Sequence, residues 1–130
     1  MSDTRSRAEL SGAWHDLVWI SRRVDNHAVV VQVGGEVDLV SAPVVDGQLR
    51  AAEALVMPPS PVVLDLTTTA FFGSSGLALL VKHASRCAEL GSRLRVVADQ
   101  AAVLRPIAVT GIGQLVDVVP TIDQALEHLR

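Results

Sequence analysis

At 130 residues, 49% of them apolar and 19% charged, the chain has the size and make-up of one folded domain rather than of a disordered segment. Its formal charge of −3, with a single lysine (Lys82) and no basic cluster, excludes a reader of nucleic-acid phosphates and a polybasic membrane anchor. The one cysteine, Cys87, excludes an intrachain disulfide, and an aromatic content of 3% leaves the core to Val, Leu, Ile and Ala.

Residues 1–14 read as a mobile tail, and residues 15–130 as a single domain. The opening MSDTRSRAELSGAW is polar and lacks the apolar stretch of a signal peptide. No apolar run reaches the ~18–20 residues that span a bilayer, so a soluble, cytoplasmic protein is expected.

HDLVWISRRVD then predicts a first strand, DNH a turn, and AVVVQVGGEVD a second strand broken at its far end by Gly34 and Gly35. The two form an N-terminal hairpin, with Trp14 and Trp19 packing beneath it and Arg22-Arg23 on a solvated edge. VVDGQLRAAEALV predicts a helix, capped by Ser41 with Pro43 in its first turn, and facing the core through Val44, Val45, Leu49, Ala52 and Val56. Pro58, Pro59 and Pro61 stop it.

PVVLDLT is a continuous apolar run, the signature of a central strand buried on both faces. From Ser74 to Leu90 the period turns helical through Leu77, Leu80, Val81, Ala84 and Ala88, with Gly91 placed for a left-handed C-terminal cap. SRLRVVAD is a fourth strand, QAAVLRPIAVTG a short helix strained by Pro106, LVDVV a fifth strand and TIDQALEHLR a last helix capped by Thr121. Strands alternating with helices after a hairpin give an α/β sandwich with a mixed, mostly parallel sheet and about four helices.

FFGSSGLALL, residues 71–80, concentrates the polar chemistry. Gly73-Ser74-Ser75-Gly76 is one residue short of the G-x-S-x-G elbow of serine hydrolases, and His83, two turns down the same helix, is too far from its start to serve Ser75 as a base. No G-K-[ST] follows the glycines, so a phosphate-binding loop is excluded. No pair of histidines at i, i+4 and no C-x-x-C supports a metal site, so neither a metal nor a cofactor is expected. Ser74 reads as a helix N-cap. Ser75, in the first helical turn, could carry a phosphate near free N–H groups and the positive end of the helix dipole without loss of the fold. Asp65 reads as a turn or loop hydrogen-bond acceptor, and Cys87 as a small core residue.

LDLTTTAFFGSSGLALLVKHASRCAELGSRLRVVA resembles the core of STAS domains, in particular of bacterial anti-sigma factor antagonists. VVQVGGEVDLVSAP is similar to the family's strand with Gly-Glu-hydrophobic-Asp and a following Ala-Pro, and VLRPIAVTGIGQLVDVVPTIDQAL to its late helix, last strand and closing helix. The match runs in order from about residue 17 to the end. The resemblance implies a STAS-like sandwich and a regulator rather than an enzyme. Its partners would be an anti-sigma factor of the serine-kinase type and a phosphatase, with no nucleic acid and no membrane.

By the same resemblance Ser75 is the phosphoacceptor. Asp38, Gly73, Ser74, Ser75, Gly76 and Leu77 form the partner-binding surface, with Asp38 as the partner-facing acid. Where the family usually has Asp before the serine pair, this chain has Gly73, which removes a carboxylate beside the phosphoacceptor. The alternatives are a phosphorylation-independent STAS module that binds a nucleotide weakly, and, from another class, a small serine hydrolase.

Overall fold

The computed structural model describes residues 13–15 and 17–127. Six strands form one sheet in chain order: β1 (Ala13–His15), β2 (Val18–Asp25), β3 (Ala28–Val37), β4 (Val62–Phe72), β5 (Leu94–Val97) and β6 (Asp117–Val119). The pairs β1–β2 and β2–β3 are antiparallel and every later pair is parallel. Four helices connect and cover the strands: α1 (Ala42–Leu55), α2 (Ser74–Glu89), α3 (Ala101–Thr110) and α4 (Ile122–Leu126). Among the described residues no helix is long and apolar enough to cross a membrane.

The mixed sheet and the hairpin follow the sequence pattern, with differences that have local causes. Ala13 and Trp14, assigned above to the tail, pair with Ile20 and Trp19, so the sheet starts one short strand earlier; residues 1–12 lie outside the described residues. Asn26 turns the hairpin with φ 59°, in the left-handed region that asparagine tolerates.

Gly34 and Gly35 do not end β3. The strand continues to Val37 through register irregularities between Gln32 and Gly34 and between Gly35 and Glu36. Gly35 absorbs the bend at φ 93°, where a side chain would be strained. Thr69 follows the irregularity on the facing strand, and its hydroxyl donates to Val33 O at 2.7 Å. The central strand likewise runs past Thr67 to Phe72. Its first five residues, Val62–Leu66, are all buried, as a strand covered on both faces requires.

One face of the sheet carries the main core. Val29, Val31 and Val33 of β3, Val62, Leu64 and Leu66 of β4, and Leu94 and Val96 of β5 pack against α1, α2 and α3. The other face holds a smaller cluster, Val30, Val63 and Val97 under Ala125 of α4. Arg95 is buried on that face and holds the end of α4, donating from Nη1 to Ala125 O and Glu127 O, both at 2.7 Å.

The helix ends divide by mechanism. Thr121 caps α4 as expected, its hydroxyl accepting from the N–H of Gln124 at 3.1 Å. Residues 128–130 of the last predicted helix lie outside the described residues. Gly91, at φ 80°, closes α2, with its own N–H bonded to Ala88 O and that of Ser92 to Cys87 O. Ser41 precedes α1 but does not cap it, because its hydroxyl donates to Glu36 O at 2.7 Å instead.

The buried stripes of α1 and α2 include charges. Glu53 continues the spacing of Val45, Leu49 and Ala52, and His83 that of Gly76, Leu79 and Leu80; both are buried. Val81 and Ala88, expected on the core face of α2, are exposed. The helix is rotated so that His83 and Cys87 point inward instead.

Each ring nitrogen of His83 meets a carboxylate: Nδ1 hydrogen-bonds Glu53 and Nε2 lies 2.7 Å from Asp46 Oδ1. Arg86 Nε donates to Glu53 Oε1 at 2.7 Å, and Lys82 Nζ lies 3.0 Å from Asp46 Oδ1. Burial raises the Asp46 carboxyl, but hydrogen bonds from Lys82 and His83 outweigh it and leave the group more acidic than usual. Cys87 is buried beside Glu53, and burial first, then that carboxylate, pushes its thiol up to about 12. It is therefore an inert core residue.

Removing Glu53 strips His83 of one carboxylate inside the core. Glu53→Ala is expected to lower unfolding free energy by about 3 kcal/mol, with Glu53→Gln losing less because it keeps an acceptor. Urea denaturation followed by circular dichroism measures both, and equal losses would show that the ionic pairing contributes nothing.

Candidate functional site

Parallel pairing sets Glu36 opposite Phe71 and Val37 opposite Phe72, so β3 and β4 end side by side. The chain leaves β3 into Asp38–Ser41 and leaves β4 into the serine turn. Gly73 N–H donates to Val37 O at 3.0 Å and ties the two exits together. Asp38 and the Gly73–Ser75 segment, 35 or more residues apart in sequence, are thereby neighbours at the carboxyl end of the sheet.

The Asp38 loop is held by its own side chains. Asp38 Oδ1 accepts from the N–H groups of Val40 and Ser41, each at 3.0 Å, and from the Ser41 hydroxyl at 3.2 Å. The Ser41 N–H, with help from its hydroxyl and from Val40, holds the Asp38 carboxyl below the usual aspartate range. The loop projects Leu39 and Val40, which are 81% and 66% exposed.

The serine turn is shaped by two aromatic rings. Phe72 is buried, and a Cβ on Gly76 would lie 2.7 Å from its Cε1 and 2.8 Å from its Cζ. Only glycine lets the first turn of α2 approach the strand this closely. Phe71 alternates to the other side of the strand and is half exposed. A Cβ on Gly73 would lie 3.0 Å from Phe71 Cε2 and 3.2 Å from its Cζ. Each glycine of Gly-Ser-Ser-Gly is thus the seat of one phenylalanine.

Gly73, not Ser74, is the N-cap of α2. With its φ of −88°, Gly73 has an extended backbone that any residue adopts. No side chain caps the helix, and Gly73 O takes the first intrahelical bond, from Leu77 N–H at 3.1 Å. Ser74 is exposed and Ser75 half buried in the first turn. No histidine bonds either serine among the described residues, and His83 is engaged between Glu53 and Asp46. Among the described residues the hydrolase arrangement is not assembled.

Of the residues singled out from sequence, Asp38, Gly73, Ser74 and Ser75 come together at the surface. Gly76 is buried beneath Phe72, and Leu77 is half buried against the core. Asp65 accepts from Thr67 N–H at 3.0 Å and from its hydroxyl at 2.8 Å, a local bond within β4 and away from the turn. Arg22 hydrogen-bonds Gln48 of α1 instead of standing on a solvated edge. Sequence reasoning missed Phe71, Leu39 and Val40 as site residues. The available signal was three large apolar residues in or beside loops, where burial cannot be assumed.

A family model described as STAS domain matches residues 20–125. The anti-sigma-F factor antagonist RsfA of Mycobacterium tuberculosis is 32% identical over 99 residues, covering 76% of this chain and 77% of that protein. The crystal structure of an anti-sigma factor antagonist from Mycobacterium paratuberculosis superposes with a TM-score of 0.78 at 32% identity, over 88% of this chain and 95% of that one. The Bacillus cell fate determinant SpoIIAA in its phosphorylated form shares the fold, with a TM-score of 0.64 at 17% identity over 85% of this chain and 99% of that one.

Two outcomes are expected from this geometry. Gly76→Ala forces the Phe72 ring to move and should destabilise the domain by about 1–3 kcal/mol, against the gain that alanine ordinarily brings inside a helix. A denaturation midpoint equal to or above that of the parent would refute the ring contact. Asp38, whose folded carboxyl is depressed, stabilises the loop at neutral pH. That contribution disappears as the pH falls through its folded value. In a carboxyl-carbon NMR titration Asp38 should titrate below ordinary aspartates, and Ser41→Ala should move its midpoint upward.

Proposed function

The chain belongs to the STAS domain family, among the anti-sigma factor antagonists, and from that premise we propose that it is a cytoplasmic regulator which binds an anti-sigma factor of the serine-kinase type and so frees a sigma factor. Phosphorylation of Ser75 by that kinase dissolves the complex, and a phosphatase resets it. The observation that carries this reading is the surface made jointly by Asp38–Val40 and Gly73–Ser75. It joins the exposed apolar side chains of Leu39 and Val40 to a serine hydroxyl in the first turn of a helix.

The electrostatics favour a switch of this kind. A phosphate on Ser75 adds about −1.5 to −2 of charge at neutral pH. The first-turn N–H groups and the positive end of the α2 dipole accommodate that charge within the domain. A partner packed over Leu39, Val40 and Phe71 has to desolvate it. The folded antagonist therefore survives modification while the complex does not. That a Bacillus protein of the same fold has been solved in a phosphorylated form supports the same reading.

Incubation with the cognate kinase and ATP should place one phosphate on the wild type and none on Ser75→Ala, read by intact-mass spectrometry. Ser75→Glu should weaken partner binding by about 2 kcal/mol or more with the fold intact by circular dichroism. Unchanged affinity of the glutamate variant would sink the switch.

A further inference from the structure

Gly73 has no backbone reason to be glycine. Its φ of −88° is open to any residue, and at an N-cap Ser, Thr, Asp or Asn would add a hydrogen bond that glycine forgoes. What a side chain would meet is the Phe71 ring, two atoms of which would stand 3.0 and 3.2 Å from a Cβ at this position. Contacts that tight make the ring give way. Phe71 can do so, because half of its surface faces solvent rather than a packed core.

The glycine therefore decides where the ring lies. With no side chain at 73 the ring rests against Gly73 at the start of the turn. With a side chain there the ring has to give by a few tenths of an ångström. A phenylalanine left half exposed, with Leu39 and Val40 exposed on the neighbouring loop, is an unusual concentration of apolar surface in a chain that is 3% aromatic. Two acidic residues stand on the neighbouring strand end: Glu36, exposed opposite Phe71 in the β3–β4 register, and Asp38.

We propose that Phe71, seated on Gly73, is the specificity-determining contact of the partner surface, and that it fits an apolar recess bordered by a basic side chain on the anti-sigma factor. Gly73 acts through the ring as a positioning residue. This inference rests on the partner reading given above. Large aromatic anchors buried in a partner's pocket dominate interface energies, whereas exposed polar contacts around them contribute little. The two residues are coupled, since the nearest atoms a methyl group at 73 meets are those of the Phe71 ring.

The test is a double-mutant cycle against each purified ATPase-type anti-sigma factor of the source organism, by isothermal titration calorimetry, with circular dichroism to verify folding. For the factor that binds wild type, Phe71→Ala is expected to weaken binding about tenfold or more, while affinity for the other factors stays as it was. Gly73→Ala weakens it by a smaller factor, and the double variant binds no worse than Phe71→Ala alone.

In the free protein, the Gly73 α-proton resonances should carry a ring-current shift that Phe71→Leu abolishes. Losses that multiply in the double variant, an unchanged affinity for Phe71→Ala, or the absence of that shift would each overturn the proposal while leaving the partner reading in place. Failure of wild type to bind any of these factors would overturn the partner reading, and the proposal with it.

Discussion

The parallel pairing of β3 with β4 is the constraint on which the site depends. From Val29 opposite Val62 to Val37 opposite Phe72, it carries two loops distant in sequence to one end of the sheet. Parallel strands covered on both faces need side chains that are apolar on both sides, and Val62, Val63, Leu64 and Leu66 meet that need, while the buried Asp65 is satisfied by Thr67. The irregular stretch at Gly34–Glu36 keeps the ladder going to its last pair. Beside it the Thr69 hydroxyl donates a further bond between the two strands, to Val33 O. Ending β3 at the glycines would leave Asp38 and Ser75 with no shared surface.

At the end of that pairing the strand alternation separates two adjacent phenylalanines. Phe72 turns into the core and fixes how closely α2 approaches, and Phe71 turns out and lies against the cap of the same helix. One dipeptide thus sets both the position of Ser75 and the apolar character of the surface around it. The absence of a side-chain cap has an electrostatic side as well. With glycine at the N-cap, no carboxylate stands at the start of α2 to compete with a phosphate for the first-turn N–H groups.

Behind the site, α1 and α2 are joined by charges rather than by apolar packing alone. Glu53, His83 and Asp46, with Arg86 and Lys82 at the rim, span the two helices whose N-termini border the proposed partner surface. A buried ionic set of this kind adds little net stability compared with a well-packed apolar one, yet it tolerates few alternative alignments. Slipping α2 by one residue would take His83 off both carboxylates. The network therefore fixes the angular setting of α2, and with it the direction in which the first turn presents its serines.

Element type and order were legible in the sequence because they follow from local pattern. The β-branched runs, the proline stop after α1, the Gly91 and Thr121 caps and the strand–helix alternation each depend on a few consecutive residues. The motif around Ser75 was legible for the same reason. What only the tertiary structure decided depends on neighbours far away in the chain or on which way a side chain turns. Gly73 is the cap of α2 while Ser74 is not, β3 runs through its glycines, and Glu53 and His83 sit inward because each finds the other across 30 residues. Why both glycines of Gly-Ser-Ser-Gly lack a side chain is likewise a matter of three-dimensional contact. A Cβ at Gly76 would run into the Phe72 ring and one at Gly73 would press on the Phe71 ring, and periodicity in a sequence carries no record of occupied space.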